Sequence, residues 1–279
     1  MLKSFIIEIA SLVALALSGF AIGFVGGMVG LVLGVVRFPI VMSAETSISI
    51  TAGTNLGVST LGAITAAIRH YRQKNIQFRA FIFLGATGAA GAFIGSFLTS
   101  YIPISLLLAV IGIIVSYESF VLLKGSAIKN KKHNNNNYQS SENTKNSRPP
   151  SYSQNKTILM ESVLGFGIGF LGGLVGLVLG SIRMPAMISI LKMEPRVAVG
   201  TNLAAASVMG TSGMIGHIIN NNIDYLVLVV MGSGAMIGGY LGAKYTNRFS
   251  DTNLKRIIGL VLIIVAVSML LRVFQLTVL

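Results

Sequence analysis

"GLVLGVVRFP" at residues 30–39 returns as "GLVLGSIRMP" at residues 176–185, with Arg37 and Arg183 at the same place in each copy. Outward from this pair the likeness runs without a gap, and residues 19–39 match 165–185 at 15 of 21 positions. The register then slips by one residue. Gly53-Thr54-Asn55-Leu56 aligns with Gly200-Thr201-Asn202-Leu203, His70 with His217, and Gly85, Gly91 and Gly95 with Gly232, Gly238 and Gly242. The chain therefore reads as two homologous halves, residues 1–123 and 158–279, joined by a linker at 124–157.

Of the 279 residues 53% are hydrophobic and only 10% charged, and the mean hydropathy is +0.78. Soluble domains carry about 25% charged residues, and apolar runs of about 20 residues are long enough to cross a bilayer. Several runs here exceed that length, which predicts an all-α polytopic membrane protein, multi-pass in the cell membrane. The absence of cysteine excludes disulfides and thiolate metal sites. With three histidines an all-histidine metal site is not expected, nor is any cofactor. The net charge of +13 lies mostly in the hydrophilic breaks between apolar runs. That placement fits orientation in a membrane rather than nucleic-acid binding. The first 23 residues have the look of a signal peptide, but the apolar run continues to residue 36 and overlaps the repeat, so the segment is expected to be retained.

The linker carries seven Lys/Arg against one Glu within 124–156 and has no apolar periodicity. It should be disordered and cytoplasmic. The loops alternate in opposite senses in the two halves. "RHYRQKNIQFR" (69–79) is strongly basic and its counterpart "HIINNNIDY" (217–225) has no Lys or Arg, whereas "TSYIPIS" (99–105) is uncharged and "AKYTNRFSDTNLKR" (243–256) holds four basic residues. This predicts inverted repeats. A helix over residues 5–36 would be about 48 Å long, more than a simple span needs, and 38–68 is similarly long. Broken or re-entrant helices are expected, interrupted near Arg37-Phe38-Pro39 and near Thr51–Asn55. Further spans fall near 80–98, 104–123, 158–182, 185–216, 226–244 and 254–272, for eight to ten transmembrane segments in all.

Arg37 and Arg183 are the sharpest candidates for function. A guanidinium inside a membrane is costly and usually faces a cavity or a partner; near a helix end it can instead snorkel to the headgroups. Two at equivalent positions, each two residues before a proline, would straddle a pseudo-two-fold axis and suit a small tetrahedral or carboxylate anion. Thr54-Asn55 and Thr201-Asn202 either orient that ligand or satisfy backbone groups freed at helix breaks. His70 and His217, next to polar loops, and Glu118, inside an apolar run opposite Val265, are candidates for ion coupling or for structural roles. Lys192, Glu194 and Arg196 around Pro195 look interfacial. The glycine ladders Gly19/Gly23/Gly27 and Gly165/Gly169/Gly173 suit close helix packing. Only eight acids are present, none of them in a repeated pair, and there is no zinc or serine-nucleophile signature, so an enzyme is not expected.

Taken together, "GFLGGLVGLVLGSIRMP", "AVGTNL", His217 and "GAMIGGYLGA" in the second half, and the looser "ITAGTNL" copy in the first, resemble the sulfite exporter TauE/SafE family of membrane permeases. The resemblance covers both halves. The family's Gly-Ile-Gly-Gly-Gly stretch reads Gly-Leu-Val-Leu-Gly here, and Arg37 and Arg183 stand where the family usually has an apolar side chain. The resemblance implies transport of a small anion such as sulfite, an organosulfonate or a carboxylate. Alternating access would act around a site between the repeats, with Arg37, Arg183, Thr54, Asn55, Thr201 and Asn202 as substrate ligands. An anion channel or a structural scaffold is the alternative. The expected partners are the small anion and the lipid bilayer, with a homo-oligomer left open and nucleic acid excluded.

Overall fold

A computed structural model describes residues 2–44, 47–102, 154–189, 191 and 193–248. The spans expected near 104–123 and 254–272, Glu118, Lys192 and residues 124–153 of the linker lie outside the described residues. Among the described residues the chain forms eight α-helices and no strand. These are α1 (Leu2–Val29), α2 (Gly34–Ala44), α3 (Ile48–Arg72) and α4 (Phe78–Leu98) in the first half, with a 3₁₀ turn at Thr99–Tyr101 after α4. The second half has α5 (Gln154–Val175), α6 (Gly180–Ser189), α7 (Pro195–Ile219) and α8 (Tyr225–Thr246). Four stretches are long and apolar enough to cross a membrane: Ile9–Val29, Phe78–Tyr101, Ile158–Val175 and Tyr225–Thr246. Ile9, Val13 and Leu17 on α1 and Leu226, Val229 and Ile237 on α8 stay exposed. That is the arrangement of side chains that face lipid rather than water, and the protein is an all-α polytopic membrane protein.

The halves interlock. Helix α1 packs on α8 of the other half, and its equivalent α5 packs on α4, so that the helices touch in the order α1, α8, α3, α7, α4, α5. The glycine ladders make these contacts close. A Cβ added at Gly19, Gly23 or Gly27 would overlap the backbone of Met231, Ala235 or Gly239, and one at Gly165, Gly169 or Gly173 that of Leu84, Gly88 or Ala92. Small residues substitute here for the hydrophobic force that lipid does not supply between helices.

The same pairings fix helix direction. Residue numbers rise together along α1 and α8, along α3 and α8 (Gly57 beside Leu228, Gly232 beside Leu61), and along α4 and α7 (Gly88 beside Met209, Gly216 beside Ser96). The central pair is opposed: Gly53 lies beside His217, Gly213 beside Leu56, and Gly200 beside Asn75. Helices α1, α3 and α8 therefore point one way, and α4, α5 and α7 the other.

The breaks differ from expectation. The first helix ends at Val29, and residues 30–33 separate it from α2; Arg37 and Pro39 lie inside α2. What ends α1 is Gly30, at φ +76°, with the Leu31 N–H closing back on Gly26 O at 3.1 Å. This is the left-handed glycine cap that favours a residue without a side chain. Gly176 (φ +71°) ends α5 the same way, with Leu177 N–H on Gly172 O at 2.9 Å. Pro39 is the sixth of the eleven residues of α2 and does not end it. Thr51–Asn55, expected at a break, occupy the first turns of a continuous α3 that starts on the Ser47 cap.

Candidate functional site

Each glycine cap leaves carbonyls at the end of a helix without an intrahelical partner, inside a bundle where water does not reach them. Eight repeated polar residues, the pairs Thr54/Thr201, Asn55/Asn202, His70/His217 and Thr99/Thr246, meet this demand or brace it. At the end of α1, His70 Nε2 donates to Gly27 O (3.3 Å), Thr246 Oγ1 to Met28 O (2.9 Å) and Asn202 Nδ2 to Gly30 O (2.6 Å). At the end of α5, His217 Nε2 donates to Gly173 O (3.0 Å), Thr99 Oγ1 to Leu174 O (3.0 Å) and Asn55 Nδ2 to Gly176 O (2.9 Å). The threonine and asparagine donors come from the opposite half in every case. A carbonyl can only accept, so both histidines carry their proton on Nε2. On His70 the other ring nitrogen accepts from Asn75 Nδ2 at 3.4 Å. Thr54 and Thr201 brace the turns: their hydroxyls accept from Asp224 N–H (2.8 Å) and Gln77 N–H (2.9 Å).

The arginines are buried at 2% exposure each, neither of them snorkelling. Arg37 Nη1 donates to Ser59 Oγ at 2.8 Å. Arg183 Nε donates to Asn202 Oδ1 at 2.8 Å, its Nη2 to Asn202 O at 3.4 Å, and its Nη1 meets the Met209 sulfur. All of these partners are neutral. Each arginine lines a cavity walled mainly by its own half: Arg37 with Gly23, Leu33, Ser59 and Gly62, closed by Leu203 of the other half, and Arg183 with Gly169, Leu179, Met209 and Gly210, closed by Leu56 and Ala92. The cavities are repeat equivalents rather than one shared pocket. They come close across the molecule, where a Cβ on Gly34 would touch Leu177 Cδ2 at 3.7 Å and one on Gly180 the Val32 N at 3.6 Å.

Three further residues of interest escape a reading of repeated motifs. Ser59, Gly62 and Met209 face the arginines, and they are positions at which the two copies disagree: Ala206 matches Ser59, and Gly62 matches Met209. Departure from the repeat beside a repeated cation was the available signal. Glu161, buried on α5, lines another cavity with Arg183, Leu84 and Met187. Among the described residues no group of histidine, cysteine and carboxylate side chains could hold a metal ion.

The profile of the family described as "Sulfite exporter TauE/SafE" matches residues 15–269. Among curated proteins, the chain is 28% identical over 246 residues to the probable membrane transporter protein YdhB of Bacillus subtilis, covering 88% of this chain and 92% of that one. It is 24% identical to the probable membrane transporter protein YunE of the same organism, covering 93% and 97%. A probable membrane transporter protein of Xylella fastidiosa is also 24% identical, covering 95% and 97%. No solved structure matches the chain significantly.

Proposed function

The chain belongs to the sulfite exporter TauE/SafE family, and from that premise we propose that it is a secondary transporter for a small anion, such as sulfite, an organosulfonate or a carboxylate, working by alternating access between its two halves. The observation that carries this reading is a pair of buried guanidinium groups whose hydrogen-bond partners among the described residues are all neutral. A buried cation without a counter-charge costs several kcal/mol, and a bound anion would offset that cost. The first turns of α2 and α6 start beside these cavities, and the free N–H groups of a helix start favour negative charge.

Opposed helix directions support insertion of the halves upside down relative to each other, the arrangement from which alternating access arises in transporters built from inverted repeats. The distribution of charge supports an orientation. Arg69, Arg72, Lys74 and Arg79 near the α3–α4 turn share one end of the bundle with Lys244 and Arg248 of α8 and with the start of α5, which follows the basic linker. Basic loops favour the cytoplasmic side, so this end and the linker face the cytoplasm of a cell membrane. Rocking of one half against the other would open the arginine cavities first to one side and then to the other.

Counterflow tests the reading. Proteoliposomes preloaded with unlabelled sulfite should accumulate ³⁵S-sulfite with saturable kinetics, and sulfonates and acetate should compete according to their affinity. Unsaturable conductance would identify a channel, and absence of flux for every small anion a scaffold; either result overturns the carrier.

A further inference from the structure

The two arginine cavities derive from one ancestral half-site, yet their polar groups are in different states. Around Arg183 all three guanidinium nitrogens are engaged: Nε and Nη2 by Asn202, Nη1 by the Met209 sulfur. Around Arg37 the equivalent bond is open. Neither Arg37 Nε nor Asn55 Oδ1 has a hydrogen-bond partner among the described residues, although the same two atoms in the other half bond to each other at 2.8 Å. Side-chain volume differs in the same sense. Met209 lies against Arg183, whereas its equivalent Gly62 brings no side chain to the cavity that it lines with Arg37 and packs on Ala235 instead, and Ser59 presents a hydroxyl where the other half has Ala206. The two equivalent cavities are similar in size, about 20 Å³ at Arg37 and about 10 Å³ at Arg183, and Arg183 also lines a further, apolar cavity of about 40 Å³ with Glu161, Leu84 and Met187.

We propose that the anion binds in one half only, at Arg37 and Ser59 in the cavity that Gly62 lines, and that Arg183 is a structural cation held by Asn202 and Met209. This rests on the transporter reading above. A buried donor with no partner is among the costliest groups to leave unsatisfied, and an oxyanion at Arg37 Nε would satisfy it with a charge-assisted bond while Ser59 donates a second. The cavity holds about one water in this conformation, so binding requires α2 to move from α3. The cargo that fits best is a compact oxyanion, sulfite-sized, without a long tail; Leu31, Leu33 and Ile22 in the wall offer nothing polar to a second charged group.

The second half supplies the template for the test. The double variant G62M/A235G reproduces the Met209/Gly88 pairing in the first half, since Ala235 is the nearest neighbour of Gly62 as Met209 is of Gly88. Titration calorimetry on the full detergent-solubilised chain would use sulfite, thiosulfate, methanesulfonate and acetate in turn. For the tightest-binding of these, G62M/A235G should weaken binding at least about tenfold, S59A about three- to tenfold, and M209A less than about twofold. Should the double variant fail to fold, judged by its thermal midpoint, S59A and M209A carry the comparison. Unchanged affinity in folded G62M/A235G or in S59A, or a tenfold loss in M209A, overturns the single-site assignment and leaves the transporter reading standing. A wild-type chain that binds none of the four anions overturns both.

Discussion

Asn202 and Asn55 do the same job at the two glycine caps, each holding the carbonyl that ends the opposite half's first helix, but only Asn202 also anchors an arginine. The second half thus ties helix break, asparagine and cation into one network. In the first half the break is held and the cation is left partly free. Duplication produces two equivalent polar sites in a membrane interior, where each unsatisfied group costs several kcal/mol. One copy can then become scaffold while the other keeps groups available for a ligand, and the difference between Arg37 and Arg183 follows that division.

The comparison breaks most visibly at the asparagines. Replacing Asn202 by Ala removes the partner of a buried cation together with a carbonyl clamp, and should cost about 3 kcal/mol, against about 1 kcal/mol for Asn55→Ala, which loses one carbonyl bond. Unfolding of the purified variants in detergent measures both; equal losses would mean that the two networks are alike. Gly30→Ala and Gly176→Ala should each cost about 2 kcal/mol by the same assay. Both residues sit in the left-handed region, and the added methyl would meet the backbone of Val199 or Ala52. Here equality between the halves is the expectation, because the caps are common to both. Thr99→Val and Thr246→Val, which each lose one carbonyl bond, should be smaller still, about 1 kcal/mol apiece. A much larger loss at one of them would show that the cross-half clamps are not equivalent.

The membrane class and the duplication were legible in the residues, because repeat identity and apolar run length are local signals. The position of the breaks was not. Proline beside Arg37 drew attention, but Pro39 lies in the middle of α2 without ending it, and the break is made at the end of α1 by Gly30, one glycine among many in an apolar run. Thr54 and Asn55 looked like a helix break because they are polar in an apolar run. They are polar because a break in the other half lies against them, a relation between residues 121 positions apart. Thr99 and Thr246 carry the same hidden dependence. The expectation of one site flanked by both arginines followed from symmetry, and symmetry also gives each arginine a cavity of its own.

Selenite carries the charge and shape of sulfite together with an anomalous scatterer. Diffraction from crystals of the full chain grown with it locates the anion without assumption. A single selenium peak within hydrogen-bonding reach of Arg37 and Ser59 is the predicted result; a peak beside Arg183, or density shared evenly between the halves, would contradict it.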